Sequence, residues 1–151
     1  MKGKILLLLF TILLSVPSFA QKQRSDDDSK RKEMMEFKLK FLGDEMGLND
    51  AQRKQFNELY TQMESERRAV YKKIKSAENF INENKNASEA DYEKARKDIS
   101  NAKSQMAQIE QNYYNKFVKF LSQKQLYKLK EAEEKFKETM QKVRNKKKNQ
   151  K

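Results

Sequence analysis

Neither cysteine nor histidine occurs in these 151 residues, and their absence removes most of the chemistry a protein can perform. Thiolate and imidazole are the common zinc ligands, and imidazole is the usual general base and proton shuttle. Carboxylates and lysines remain, but an active site also needs a pocket. A chain with three glycines, one proline, no tryptophan and 37% charged residues reads as long solvated helices. No catalytic residue, cofactor or metal site is expected. The chemistry left is non-covalent. Part of it is hydrogen bonding at helix starts: Leu48-Asn49-Asp50-Ala51-Gln52 and Leu121-Ser122-Gln123-Lys124-Gln125 share the spacing Leu, small polar, two variable residues, Gln. Asn49 and Ser122 can accept from the backbone N–H three residues on, and Gln52 and Gln125 can reach back, which is a capping box. Ser88 and Asp91 form a third box of this kind.

The other part is electrostatic. Cations cluster at Arg67 and Arg68, at Lys72, Lys73 and Lys75, and at Lys94, Arg96 and Lys97. Seven methionines supply flexible apolar side chains, which suit surfaces that accept many shapes. A charge run on a helix is ordinarily a solvated face, and methionine at heptad spacing is ordinarily core, as for Met63 and Met106. Met34, Phe37 and Phe41 fall outside the tidy seam. Together with Arg67, Arg68, Lys72 and Lys75 they are the candidates for a binding surface.

The elements that would position these residues begin after an export signal. Lys2 and Lys4 precede the apolar run from Ile5 to Leu14, Val16-Pro17 breaks it, and Ser18-Phe19-Ala20 offers a cleavage site after Ala20. Ten apolar residues are too few to cross a bilayer, which takes about twenty. No cysteine follows that could carry a lipid. Removing 20 residues from 151 leaves 131, enough for one domain, and 32 basic against 22 acidic residues leave a charge of +10. Residues 21–29, with Asp26-Asp27-Asp28, read as a disordered leader, 30–144 as the helical domain and 145–151 as a disordered basic tail.

Apolar residues at steps of three and four predict four helices near 30–46, 50–82, 89–121 and 123–144, with no strand. Helix 1 carries two stripes, Met35, Leu39, Leu42 and Met46 beside Met34, Phe37 and Phe41, and Gly47 suits its end. Folding helices 2 and 3 about the polar stretch 82–87 pairs Phe56 with Tyr113, Tyr60 with Ile109, Met63 with Met106, Arg67 with Ala102, Val70 with Ile99, Ile74 with Ala95 and Ala77 with Tyr92. Glu133 interrupts the inward stripe of helix 4. Asn86-Ala87-Ser88 matches a glycosylation sequon, though a loop that caps the next helix explains it as well. So thin a hairpin leaves Phe117, Phe120, Phe136 and the second stripe of helix 1 uncovered, which predicts a homodimer.

The paired pentapeptides resemble the doubled LTxxQ motif of the Spy/CpxP family, with Asn49 and Ser122 where that motif has threonine. All three side chains are helix N-caps. The resemblance spans nearly the whole chain after the signal. It implies an all-α, cradle-like homodimer of the periplasm, built around a long antiparallel hairpin. It also implies capture of unfolded or partly folded clients without ATP, as in Spy-like members, or repression of an envelope-stress sensor kinase, as in CpxP-like ones. A chain lacking His and Cys fits the metal-binding relatives badly. A Skp-like outer-membrane-protein chaperone is the other alternative, but it needs strands that no alternating run here supplies. Neither nucleic-acid binding nor insertion into a membrane after cleavage is expected.

Overall fold

The computed structural model describes residues 19–149, without the side chains of 19–26 and 147. The inferred export signal lies outside the described residues except for its last two positions. Four α-helices follow one another, α1 Phe19–Met46, α2 Asp50–Glu83, α3 Glu89–Phe117 and α4 Gln123–Lys148, and no strand occurs among the described residues. The chain divides into two compact units, one ending at Met34 and one running from Met35 to Lys151.

In the first unit, residues 21–29 are helical rather than a disordered leader. Arg31 explains part of this, since it reaches back one turn to Asp28 at 3.1 Å and to Asp27 at 3.8 Å. Such pairs at three and four residues support a helix without any packing. At the other end α4 runs on to Lys148, through four residues of the segment read as a disordered tail.

The second unit holds the core. α1 ends at Gly47, whose φ of 65° is the left-handed conformation that glycine tolerates. The Gly47 N–H donates to the Asp44 carbonyl at 3.1 Å and the Leu48 N–H to that of Gly43 at 3.0 Å, the paired bonds that close a helix C-terminus. Gly43, one turn earlier, serves a different purpose. A Cβ there would strike the Arg53 guanidinium, which lies across the helix at that point and donates to Asp44 at 3.0 Å.

α2 and α3 form the antiparallel hairpin, with Phe56, Tyr60, Met63, Val70 and Ile74 buried on one side and Ala95, Ala102, Ile109, Tyr113 and Phe117 on the other. The register differs from the sequence expectation by about one turn. Phe56 meets Phe117, ring centroids 5.4 Å apart, four residues beyond Tyr113, and Arg67 pairs with Glu110 instead of facing Ala102. The reason lies in the connection. α2 continues through Glu83, and the turn is held by Asn84, whose side chain accepts from Asn86 N–H and whose carbonyl accepts from Ala87 N–H, both at 3.1 Å. The pivot is therefore later than the middle of 82–87, and each residue of pivot shift moves the pairing by two.

α1 and α4 close over the hairpin. Phe37 and Phe41 lie 5.8 and 5.6 Å from the Phe136 ring, so that Phe136 is only 8% exposed and Phe117 2%. Phe120 is half-buried. A single chain thus covers the Phe136 ring from which a second copy was inferred, because Phe41 and one side of Phe37 pack on α4. Met34 and Phe37 remain about half exposed, and so do other apolar side chains, among them Tyr71, Phe80, Tyr92, Tyr114 and Tyr127.

Phe56 is fully buried among Tyr60 and Phe117. Phe56→Ala should cost about 3–5 kcal/mol of unfolding free energy, the range for a buried ring replaced by a cavity. Phe80→Ala, at a half-exposed position, should stay within about 0.5 kcal/mol. Urea denaturation followed by circular dichroism measures both.

Candidate functional site

The two pentapeptide motifs form their capping boxes and then join each other. Asn49 N–H donates to Gln52 Oε1 at 3.2 Å and Gln52 N–H to Asn49 Oδ1 at 2.9 Å. Ser122 N–H donates to Gln125 Oε1 at 2.9 Å and Gln125 N–H to the Ser122 hydroxyl at 3.2 Å. Each glutamine still has an amide N–H to give and a carbonyl lone pair to fill, and the two satisfy one another. Gln52 Nε2 donates to Gln125 Oε1 at 3.2 Å, and Gln125 Nε2 to Gln52 Oε1 at 3.1 Å. The second Gln52 proton goes to the Phe120 carbonyl at 3.0 Å, in the turn that follows α3. Leu48 and Leu121 are buried beside this clasp. Sequence reasoning found each motif alone, and nothing within a single motif signals the other. The only available sign was that two identical half-satisfied amides occur in one chain.

The clasp has a geometric consequence. Eight residues beyond Gln52 stands Tyr60, and eight beyond Gln125 stands Glu133. Two helices started side by side and running in the same direction bring these together, and Tyr60 Oη donates to Glu133 at 2.5 Å. Glu133, which interrupts the apolar stripe, is thus the acceptor for a buried phenol. Burial first, and the Glu133 charge second, raise the Tyr60 pKa far above the ordinary phenol value. Tyr113 is arranged alike, with its hydroxyl 2.5 Å from Glu66. Burial and then that contact push its pKa up to about 12.

Around Tyr60 a partly buried ionic chain crosses three helices. Lys38 of α1 pairs with Glu64 at 3.3 Å and lies 5.0 Å from the Tyr60 ring centre. Arg67 pairs with Glu64 at 2.8 Å and with Glu110 of α3 at 3.2 Å. Lys38, Arg67 and Glu110 border a cleft of about 680 Å³ floored by Met63, Phe117, Leu126, Leu129 and Phe136 and edged by Lys130 and Lys137. Among the described residues no three acidic side chains gather as a metal site would require.

The candidate binding residues separate on inspection. Arg67 is held by its two glutamates, and Lys75 by Glu78 at 2.7 Å, a hydrogen bond that raises the Lys75 pKa. Arg68 and Lys72 have no ion-pair partner among the described residues, and Tyr71, 51% exposed, stands between them on the same helix. Sequence reasoning missed Tyr71 because it lies off the seam. Met34 and Phe37 are 49% and 51% exposed, while Phe41 is half-buried against Phe136.

An all-α chain with two motif-bearing helix starts locked together is the kind of protein that geometry defines. Residues 34–133 match the family described as LTXXQ motif family protein, that of the Spy/CpxP periplasmic proteins, and the chain belongs to it. No curated protein and no solved structure matches the chain. The family is a non-enzymatic helical one and typically periplasmic. Among the described residues no helix is long and apolar enough to cross a membrane.

Two outcomes test this geometry. Gln52→Ala and Gln125→Ala should each destabilise the fold by about 1–3 kcal/mol, since each leaves buried-edge partners unsatisfied. The double variant should cost less than the sum by at least about 0.5 kcal/mol in a urea-denaturation cycle. In an ultraviolet titration one phenol should ionise near pH 12 and one later. Because the folded Tyr113 value is the raised one, its contribution to stability is complete below pH 10 and is lost as pH rises through about 12. Tyr113→Phe should remove that loss.

Proposed function

We propose that this chain is an exported, ATP-independent chaperone that holds unfolded or partly folded proteins and suppresses their aggregation. The observation that carries the reading is the strip of α2 on which half-exposed Tyr71 lies among Arg68, Lys72 and Lys75. Membership of a Spy/CpxP-type periplasmic family supports it. So does the sequence of residues 1–20, which reads as a signal cleaved after Ala20. The cell envelope supplies no ATP, so capture there must be reversible and set by affinity alone. Unpaired cations attract acidic or partly unfolded chains at long range and raise the encounter rate. Half-exposed apolar groups, Tyr71 here and Met34 and Phe37 on α1, then lengthen residence. The chain acts as a homodimer in this reading, since Phe80, Tyr92 and Tyr114 stay exposed in one copy.

Light scattering of an unrelated unfolding protein tests the function. Protection without nucleotide is the expected result. Its onset should slow with added salt, because exposed charges are screened beyond roughly 8 Å at physiological ionic strength. Arg68→Glu with Lys72→Glu and Lys75→Glu should slow capture, and Met34→Ser with Phe37→Ser should shorten residence with capture unchanged. Protection by both variants at the wild-type level would place the binding face elsewhere. No protection by the unaltered chain would favour an adaptor that represses a sensor kinase. Sedimentation of a stable monomer at micromolar concentration would remove the dimer.

A further inference from the structure

We propose that the outer part of α4, residues 137–148, is a docking surface for the anionic face of a phospholipid bilayer, on which it lies without crossing. Phe136 is the last buried residue of α4, and the helix continues for twelve residues beyond it to Lys148. Lys137, Lys142, Arg144, Lys146 and Lys148 are exposed there, and none has an ion-pair partner among the described residues. Lys142 and Lys146, and likewise Arg144 and Lys148, stand four apart, where like charges repel along a helix. The helix dipole accounts for cations in the last turn only.

The arrangement around the helix says what relieves the repulsion. Met140 and Val143, three apart, prolong the apolar stripe past the core, and Val143 is 43% exposed. Lys137, Arg144 and Lys148, at steps of seven and four, follow one flank of that stripe. Lys146 follows the other. Glu138, Gln141 and Asn145 occupy the far side with Lys142, and that side holds the one acid of the segment. A helix lying in a charged interface has this cross-section, with apolar side chains down and cations on both flanks reaching outward to headgroups. A nucleic acid would be served by aromatic side chains for stacking, and residues 137–149 contain none. The surface is independent of the strip on α2, so the two readings stand or fall separately.

The test uses the chain from Gln21 onward and floating vesicles of phosphatidylethanolamine with one-quarter phosphatidylglycerol, against vesicles of phosphatidylcholine alone. Partition onto the anionic vesicles should exceed that onto neutral ones at least tenfold and fall with salt. Each cation near such a surface is worth roughly fivefold. Replacing Lys142, Arg144, Lys146 and Lys148 by Gln should therefore lower partition by roughly several hundredfold, with helicity and client protection retained. The same number of Lys→Gln and Arg→Gln changes at Lys85, Lys94, Arg96 and Lys97 should leave it within a fewfold, and Val143→Ser should weaken it at constant charge. Equal partition onto neutral vesicles overturns the proposal, as does an equal loss in the second set, which would indicate diffuse net charge. An acidic peptide or a single-stranded oligonucleotide that binds the arm more tightly than the vesicles also overturns it, by identifying a soluble polyanion as the occupant.

Discussion

The reciprocal amide pair between Gln52 and Gln125 is the constraint on which the rest of the packing depends. Two helices can meet at many angles and registers, and apolar stripes alone choose poorly among them. A pair of amides that exchange two hydrogen bonds, at 3.2 and 3.1 Å, has a single solution. Each glutamine is at the same time the far half of a capping box, so the clasp fixes not just two side chains but the first turns of two helices. From there the two helices advance together at about 1.5 Å per residue. Glu133 reaches Tyr60 after eight residues on each side, and any other relative start would leave a buried phenol without an acceptor.

Once α4 is placed, α1 has one position left that covers the aromatic rings. It runs against α2 in the opposite direction, tied at Arg53 to Asp44 and at Lys38 to Glu64. Phe37 and Phe41 then meet Phe136, and Lys135 of α4 reaches Glu45 at 2.6 Å. The price of Gly43 in the last turn of α1, at most about 1 kcal/mol in helix propensity, is offset where Arg53 lies in the space that a Cβ would fill. Burial and ion pairing here are one arrangement, since the guanidinium and ammonium groups reach their carboxylates only when the stripes are in register.

Helix number, type and most boundaries were legible because they rest on local rules. Asn49, Ser88 and Ser122 act through residues three positions away, and Gly47 through its own φ. The register of α2 against α3 was not, since it turns on where Asn84 bends the chain, and an Asx turn inside an all-polar stretch has no unique sequence mark. The clasp was illegible for a different reason, namely that it joins residues 73 positions apart through side-chain atoms already assigned to local caps. Covering of Phe117 and Phe136 within one chain was missed because a stripe outside the main seam was taken as surplus. Phe37 and Phe41 of that stripe are the partners of Phe136 on α4.

The same distinction between local and non-local pairing decides what the positive charge can do. Net charge counts every cation alike, but Arg67, Arg53, Lys38 and Lys135 are bound to carboxylates on their own or neighbouring helices, and their fields are largely cancelled at any distance from the surface. Neutralising such a residue would alter the fold before it altered an encounter. The field that a partner meets comes from cations without an acid in reach. Among the described residues these include the Arg68–Lys72 strip and the outer turns of α4. One strip carries an exposed ring among its cations and rests on the rigid hairpin. The other is a bare helical arm with a narrow apolar line flanked by positive charge. A surface built on the first suits objects that present side chains of varied shape, and one built on the second suits something flat and uniformly negative.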